Sequence, residues 1–303
     1  LERLVALALD EARILGADQA EVGASHDKGR SATARLGDVE YLEYTSDRGI
    51  AITVYRDSCK GSASTSDISE HAIREAVAKA CTFATVTAAD EYAGLAEADL
   101  MCADIRDLDL DQEWDIDAPQ AIALAIETEA AALQLDDRIS NSEGATVETN
   151  RGTRTYGNSH GFIGSVSRTS HSITCVVLAE SDGVMQRDYF YTAARDPEDL
   201  DPAVSVGRRA ATRVLDRLGA RKLTTRRAPV LLVPELARGF FGHAIGAISG
   251  GAQYRRSSFL LDARGNKVFP DFVDIQERPH LLKGMASKSH DAEGVATYDR
   301  DIV

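Results

Sequence analysis

The chain has 303 residues, 44% of them hydrophobic and 27% charged, and a formal net charge of −14. That length allows two or three domains, and the composition is that of a globular protein, not of a disordered or collagen-like chain. The acidic balance speaks against direct nucleic-acid binding, which needs a basic footprint; the one basic cluster, Arg221, Lys222, Arg226 and Arg227, reads as a helix end leading into a linker.

The first element is an amphipathic helix. Leu1, Leu4, Val5, Ala8, Ala12 and Leu15 share one face, and Gly16 is its stop. No run of roughly 18 apolar residues follows anywhere, so no membrane helix is expected. The opening stretch also lacks a signal-peptide cleavage pattern. From Ala20 to Ser64 runs a meander of short alternating segments, with Ile50, Ile52 and Val54 as the clearest strand. Its turn signals are Leu36-Gly37-Asp38, Ser46-Asp47-Arg48-Gly49 and Arg56-Asp57-Ser58. A second helix starts near Asp67 or Ser69, with Ile73, Val77, Ala80, Cys81 and Ala84 on its face.

An acidic connector, DIRDLDLDQEWDID, spans residues 104–117 and reads as a solvated linker. Its alternating Asp107, Asp109 and Asp111 imitate a calcium loop, but Gln112 replaces the turn glycine and Ala118 the bidentate acid. Asp117 then caps a helix, with Pro119 in its first turn and Gln120 completing a capping box. Ile122, Ile126, Ala130 and Leu133 form its face. A second meander runs from Ile139 to about Tyr191, with turns expected at Thr149-Asn150-Arg151-Gly152 and Ser181-Asp182-Gly183. A helix bearing Val206, Ala210, Val214 and Leu218 closes it at Gly219.

The order helix, strands, helix thus occurs twice. It predicts an α+β fold with antiparallel sheets and helices on one face. The expected organisation is an N-terminal α+β domain (1–100), an acidic linker (101–117), a central α+β domain (118–223) and the start of a C-terminal domain (224–303). That last part opens on the apolar run Val230-Leu231-Leu232-Val233, a buried-strand signal, and continues through a hairpin around Ala263-Arg264-Gly265-Asn266. It is expected to be mostly β and to be truncated at Val303.

Motifs that carry chemistry are scarce. Gly157-Asn158-Ser159-His160-Gly161 fits G-x-S-x-G, but strand alternation follows it where a nucleophile elbow needs a helix, so it reads as a hairpin or bulge. No two of the seven histidines lie within five residues of each other, so a helical zinc-peptidase pair is absent. The four cysteines form no C-x-x-C pair; Cys81 and Cys175 read as buried free thiols of a reducing cytosol.

The stretch FFGHAIGAISGG, residues 240–251, stands out instead. Gly246 and Gly251 have P-loop spacing, but Ala252 and Gln253 follow where Lys and Ser or Thr are needed. Gly242, Gly246 and Gly250 recur every four residues and make a smooth helical stripe. Each costs roughly 1 kcal/mol of helix propensity relative to Ala, which close approach of another backbone would offset. Gly250-Gly251 is expected to end the helix. The candidate packing surface or substrate groove is Gly242, His243, Gly246, Ser249, Gly250 and Gly251.

Several long segments resemble the PmbA/TldE branch of the TldD/PmbA family: GRSATARLGDVEYLEYTSDRGIAITVY, GNSHGF, SHSITCVVLAE, RDYFYT, FFGHAIGAISGGAQYRRSSFLLD, RPHLLKGMAS and EGV. The resemblance covers essentially the whole chain in order. It implies three domains, of which the C-terminal one normally runs beyond the equivalent of Val303. It further implies a cytoplasmic, heterodimeric zinc metallopeptidase that trims peptide-antibiotic precursors and degrades an antitoxin. In that pair the TldD subunit carries an H-E-x-x-x-H motif. Its first His, Glu and second His fall on Phe241, Gly242 and Gly246 here, and His243 lies out of register. The resemblance therefore implies a chain with no metal ligands or catalytic residues of its own, paired with a zinc-bearing TldD-like subunit or with a second copy when isolated. The alternative it leaves open is a non-proteolytic regulator of DNA gyrase or its inhibitors. A hydrolase using Ser159 is a third reading.

Overall fold

A computed structural model describes all residues, Leu1–Val303. They divide into two compact units, Leu1–Ala220 with Arg278–Asp299, and Arg221–Glu277 with Arg300–Val303.

The first unit is α+β. Helix α1 (Glu2–Ile14) leads into β1 (Gln19–Arg35), β2 (Asp38–Arg56), β3 (Cys59–Thr65) and α2 (Glu70–Ala84). The second block repeats the order with α3 (Ala118–Leu133), β4 (Asn141–Asn158), β5 (Ile163–Ser181), β6 (Val184–Ala194) and α4 (Ala203–Asp216). The helix starts follow local chemistry. The Ser69 side chain caps α2, and Asp117 with Gln120 forms the reciprocal capping box of α3.

All six strands join one antiparallel sheet in the order β3-β2-β1-β4-β5-β6. The two blocks meet where β1 pairs with β4, from Glu21 opposite Asn158 to Ala34 opposite Ala145. One face carries all four helices. Ala20, Val22 and Ala24 of β1 pack with α1 and α2, while Ala32 and Ala34 of the same strand pack with α3 and α4. Small residues let the layers approach closely. A Cβ on Gly61 would fall 2.0 Å from the Ala80 carbonyl oxygen of α2, and one on Gly207 of α4 would fall 2.0 Å from that of Thr128 in α3.

The turn between β1 and β2 places Leu36 and Gly37 at φ of 51° and 82°. Glu129, 1% exposed on α3, accepts from both of their backbone N–H groups at 2.9 and 3.1 Å. One carboxylate of the second block thus fixes the hairpin of the first.

Two expected turns are not formed. Residues 46–49 lie inside β2 and residues 149–152 inside β4. The turn-prone residues are held extended by continuous pairing, β2 against β1 and β4 against both β1 and β5. Tertiary pairing overrides local propensity there.

The connector is not solvated as expected. Cys102, Leu108, Leu110 and Ile116 are buried. It crosses the edge of β5 beyond the end of β6, where the Thr169 N–H donates to the Leu110 carbonyl at 2.9 Å. On the side facing away from the helices, Ile105 lies against Gly164; on the helical side, Ile116 and Trp114 join the core.

The second unit holds α5 (Pro234–Ile248), α6 (Gly250–Tyr254) and a two-stranded ribbon of β7 (Gln276–Glu277) and β8 (Arg300–Asp301). The strand expected at 230–233 does not form, and Val230 and Leu231 are 78% and 95% exposed. No neighbouring strand pairs with it, and an unpaired strand leaves its backbone groups without partners. The expected hairpin at 263–266 is a turn without strands, closed by the Asn266 N–H on the Ala263 carbonyl at 2.9 Å.

Substituting Glu129→Gln should destabilise the first unit by about 2 kcal/mol, because one of two charge-assisted bonds is replaced by an amide facing a donor. Urea denaturation of the two proteins, with an unchanged slope and a lower midpoint for the variant, checks this.

Candidate functional site

The glycine-striped segment folds as two helices, not one. Helix α5 stops at Ile248, and Ser249, in extended conformation at φ −59° and ψ 142°, caps α6. Gly250 and Gly251 therefore begin a helix where they were expected to end one. The serine decides this, since its side chain accepts from the Ala252 N–H at 3.4 Å. Within the chain nothing lies within 4 Å of a Cβ placed on Gly242, Gly246 or Gly250. The stripe is an open surface. Phe241 packs edge-on to Phe240 at 5.6 Å and tilted against Phe269 at 6.0 Å.

A zinc site does not fit these residues. Residues 239–251 of this segment offer the single imidazole of His243 and no carboxylate. Phe241, Gly242 and Gly246 bring no donor atoms. A zinc peptidase needs three protein ligands and a base. Nowhere in the structure do three or more His, Cys, Asp or Glu side chains form a group that could hold a metal ion.

The G-x-S-x-G segment is the turn joining β4 to β5. The Asn158 N–H donates to the Phe162 carbonyl at 3.0 Å, and Gly161 takes φ 91°. Ser159 Oγ accepts from the Ala20 N–H at 3.1 Å, tying the turn to β1. A strand follows it, so the elbow that lifts a nucleophilic serine is absent. Cys175 is equally unsuited to chemistry. Burial, then the nearby Glu129 carboxylate, pushes its thiol up to about 12.

The structure assembles a site that the sequence did not signal. On the sheet face opposite the helices lies a cavity of about 960 Å3. Its floor includes Gly23, Ala51, Tyr156 and Val166 of four adjacent strands. Its cover is a strap made of the connector and residues 278–299. These are stitched together where Cys102 donates to the Gly294 carbonyl (2.9 Å), Arg106 to Ser289 Oγ (3.0 Å) and Lys283 to the Leu108 carbonyl (2.9 Å). Phe162 anchors the strap, lying against His290 in T-shaped contact at 5.2 Å and beside Tyr156 at 6.1 Å. Gly294, at φ 81°, fits because a Cβ there would sit 2.8 Å from the Phe162 ring. At the far end, Lys283 pairs with Asp196 at 2.6 Å, which holds that carboxyl below its ordinary range.

Beside the cavity, Glu21 accepts from the hydroxyls of Tyr55 (2.9 Å) and Tyr156 (3.0 Å), linking three strands. Burial first, and then the Glu21 carboxylate, raises both phenols well above their ordinary value; at Tyr156 a bond with Asn158 opposes the rise. A second cavity of about 440 Å3 lies on the helical side, where the Arg30 guanidinium stacks 4.9 Å above the Tyr44 ring. His171 beside it is satisfied on both nitrogens, by Thr149 Oγ1 at 2.9 Å and the Gln112 carbonyl at 2.8 Å. It is a structural histidine.

Comparison with known proteins follows the same architecture. Three family descriptions match: PmbA/TldA metallopeptidase domain 1 at residues 20–84, the central domain at 111–218 and the C-terminal domain at 225–303. The chain is 45% identical to Metalloprotease PmbA of Escherichia coli O157:H7 over all 303 residues, which span 67% of that protein. Among solved structures, a candidate modulator of DNA gyrase from Bacteroides thetaiotaomicron superposes with a TM-score of 0.94 at 24% identity, covering 99% of this chain and 69% of that one. TldE from Thermococcus kodakarensis superposes with a TM-score of 0.79 at 17% identity, covering 99% and 67%. Below 25% identity these two speak for the fold.

The raised tyrosines give the alkaline limb of stability a definite sign. Their stabilising contribution is fully present below the unfolded phenol pKa of about 10 and is lost as pH rises above it. Replacing Tyr55 and Tyr156 with Phe should flatten the fall in urea midpoint between pH 9 and pH 11. An equally steep fall in the double variant would remove the network from the account.

Proposed function

Because this chain belongs to the PmbA/TldA metallopeptidase family, we propose that it acts as the zinc-free subunit of a two-subunit peptidase. The observation that carries this reading is that residues 239–251 hold one imidazole and no carboxylate in a chain of a metallopeptidase family, where the resemblance puts Phe241, Gly242 and Gly246 in place of the ligand set. Residues 239–251, with one imidazole and no carboxylate, offer no ligand set and no base with which to activate water. What this helix can do is pack. Its glycines leave backbone open to a neighbour, and Phe240, Ile245 and Ile248 remain partly exposed on the same helix.

In this reading a TldD-like partner holds the zinc and hydrolyses an unfolded peptide. The present chain completes the enclosure in which the peptide is held. Peptide-antibiotic precursors and antitoxins are the substrates we expect, and the cytoplasm is the expected compartment. No helix is long and apolar enough to cross a membrane. The contribution of this chain is positional, and no step of hydrolysis is assigned to its side chains.

Metal analysis decides the matter. The full-length chain, purified alone and with a TldD-like partner, should carry zinc only in the complex. His243→Ala should leave both the zinc content and the peptidase rate of the complex within twofold of the parent. Loss of zinc in that variant, or stoichiometric zinc in the isolated chain, would overturn the reading. Binding to gyrase that survives removal of the partner would favour the regulatory alternative.

A further inference from the structure

We propose that the cavity between the open sheet face and the strap binds an acidic peptide. Its walls are cationic although the chain as a whole carries −14. Arg48, Arg154, Arg168 and Lys288 line it, with Asp291 as the acid facing them. Asp291 is already engaged, its Oδ1 accepting from the N–H groups of Glu293 (2.9 Å) and Val295 (3.0 Å). Arg154 is balanced by Asp27 at 3.1 Å. Arg168 and Lys288 have no ion-pair partner.

A second feature strengthens the positive field. Arg195, 5% exposed, sits in the strap's anchorage without a carboxylate. It donates to the Thr169 and Met285 carbonyls, and its Nε has no partner. Burial, then the charge of Arg168, lowers its pKa, so the two guanidinium groups sense one another. Two adjacent cations without an acid between them leave a potential that an incoming carboxylate would neutralise.

Peptide fits better than a small anion. The cations come from different elements, β2, β4, β5 and the strap, and are set around a floor of Ala51, Tyr156 and Val166. A lone phosphate needs donors converging on one point, whereas a peptide meets spaced charges with its side chains and the floor with its apolar groups. The volume of about 960 Å3 is at the upper end of ligand sites. Hydroxyls of Ser25, Ser64 and Ser66 on the rim offer further donors. The choice of a peptide rests on the subunit reading above; the preference for acidic sequence rests on the cavity alone.

The test is fluorescence anisotropy on the full-length chain. Its probes are a labelled hexapeptide of alternating Glu and Leu and its Lys and Leu counterpart. Non-specific attraction to a chain of charge −14 would favour the basic peptide, so the proposal predicts the opposite order. The acidic probe should bind at least tenfold more tightly at moderate salt. Arg168→Glu combined with Lys288→Glu should weaken it more than tenfold. Gly23→Phe, where a Cβ meets nothing within 4 Å, should fill the cavity and block binding with no change of charge. Thermal melts of both variants confirm folding. Equal or reversed peptide preference, unchanged binding in the variants, or binding of inorganic phosphate without the peptide would overturn the proposal. Each of these outcomes leaves the zinc partition untouched, and the zinc result leaves this one untouched.

Discussion

The first unit depends on one long-range pairing, β1 against β4. More than a hundred residues of chain separate the paired strands, so the loop-closure cost comes before any reward. Its return is that two three-stranded meanders, each with a bare edge, become one sheet. β1 then serves both cores, through Ala20 to Ala24 at one end and Ala32 and Ala34 at the other. Alanines suit that role, because helices from both blocks must lie close on the same strand. Glu129 secures the arrangement from the side, holding the β1–β2 turn with a carboxylate from α3.

A sheet with every helix on one face leaves the other face to be managed. Here it is managed by a strap drawn from two places far apart in sequence, the connector and residues 278–299. The strap does not seal the face. It touches down at Phe162 and at Thr169, and the space between remains as the larger cavity. Anchoring it costs something. Arg195 is held with two carbonyl acceptors and an unpaired Nε, a burden that a purely structural tether would avoid with an apolar residue.

Where structure was legible in sequence, local chemistry and tertiary demand agreed. The capping box at Asp117 and Gln120, the faces of four helices and the turns at 36–37, 57–58 and 182–183 are announced by residues next to one another in sequence, and contacts from elsewhere, such as Glu129 on the first turn, reinforce them. Where they disagreed, the longer-range term won. Asp47 and Asn150 look like turn residues, yet each sits in a strand because partners on neighbouring strands are already in register. Arg154 resolves the local conflict at Asp47, since it neutralises Asp27, the residue directly opposite. The connector misled for another reason. Its aspartates face water while Leu108, Leu110 and Ile116 between them are buried, and composition alone reports the majority. The larger cavity could not be foreseen, because its walls come from four strands and two distant segments with no motif in common. At 230–233 an apolar run does signal a strand, but a strand is a property of a pair.

On the reading proposed above, the glycine-striped helix and the cationic cavity are two ways of using a metallopeptidase fold without a metal in this chain. In the first, residues 239–251 supply one imidazole and no carboxylate, and the glycine backbone is open within the chain. In the second, charges are present but unneutralised, and what remains is a field. In that reading neither breaks a bond, and both act on another molecule through binding free energy alone. A fold does not fix a function; side chains at particular positions do. In the proposed reading those positions carry glycine where chemistry would need a ligand, and arginine and lysine where a closed structure would need nothing. That distribution is what a protein needs if it is to hold a peptide and leave the cutting to a neighbour.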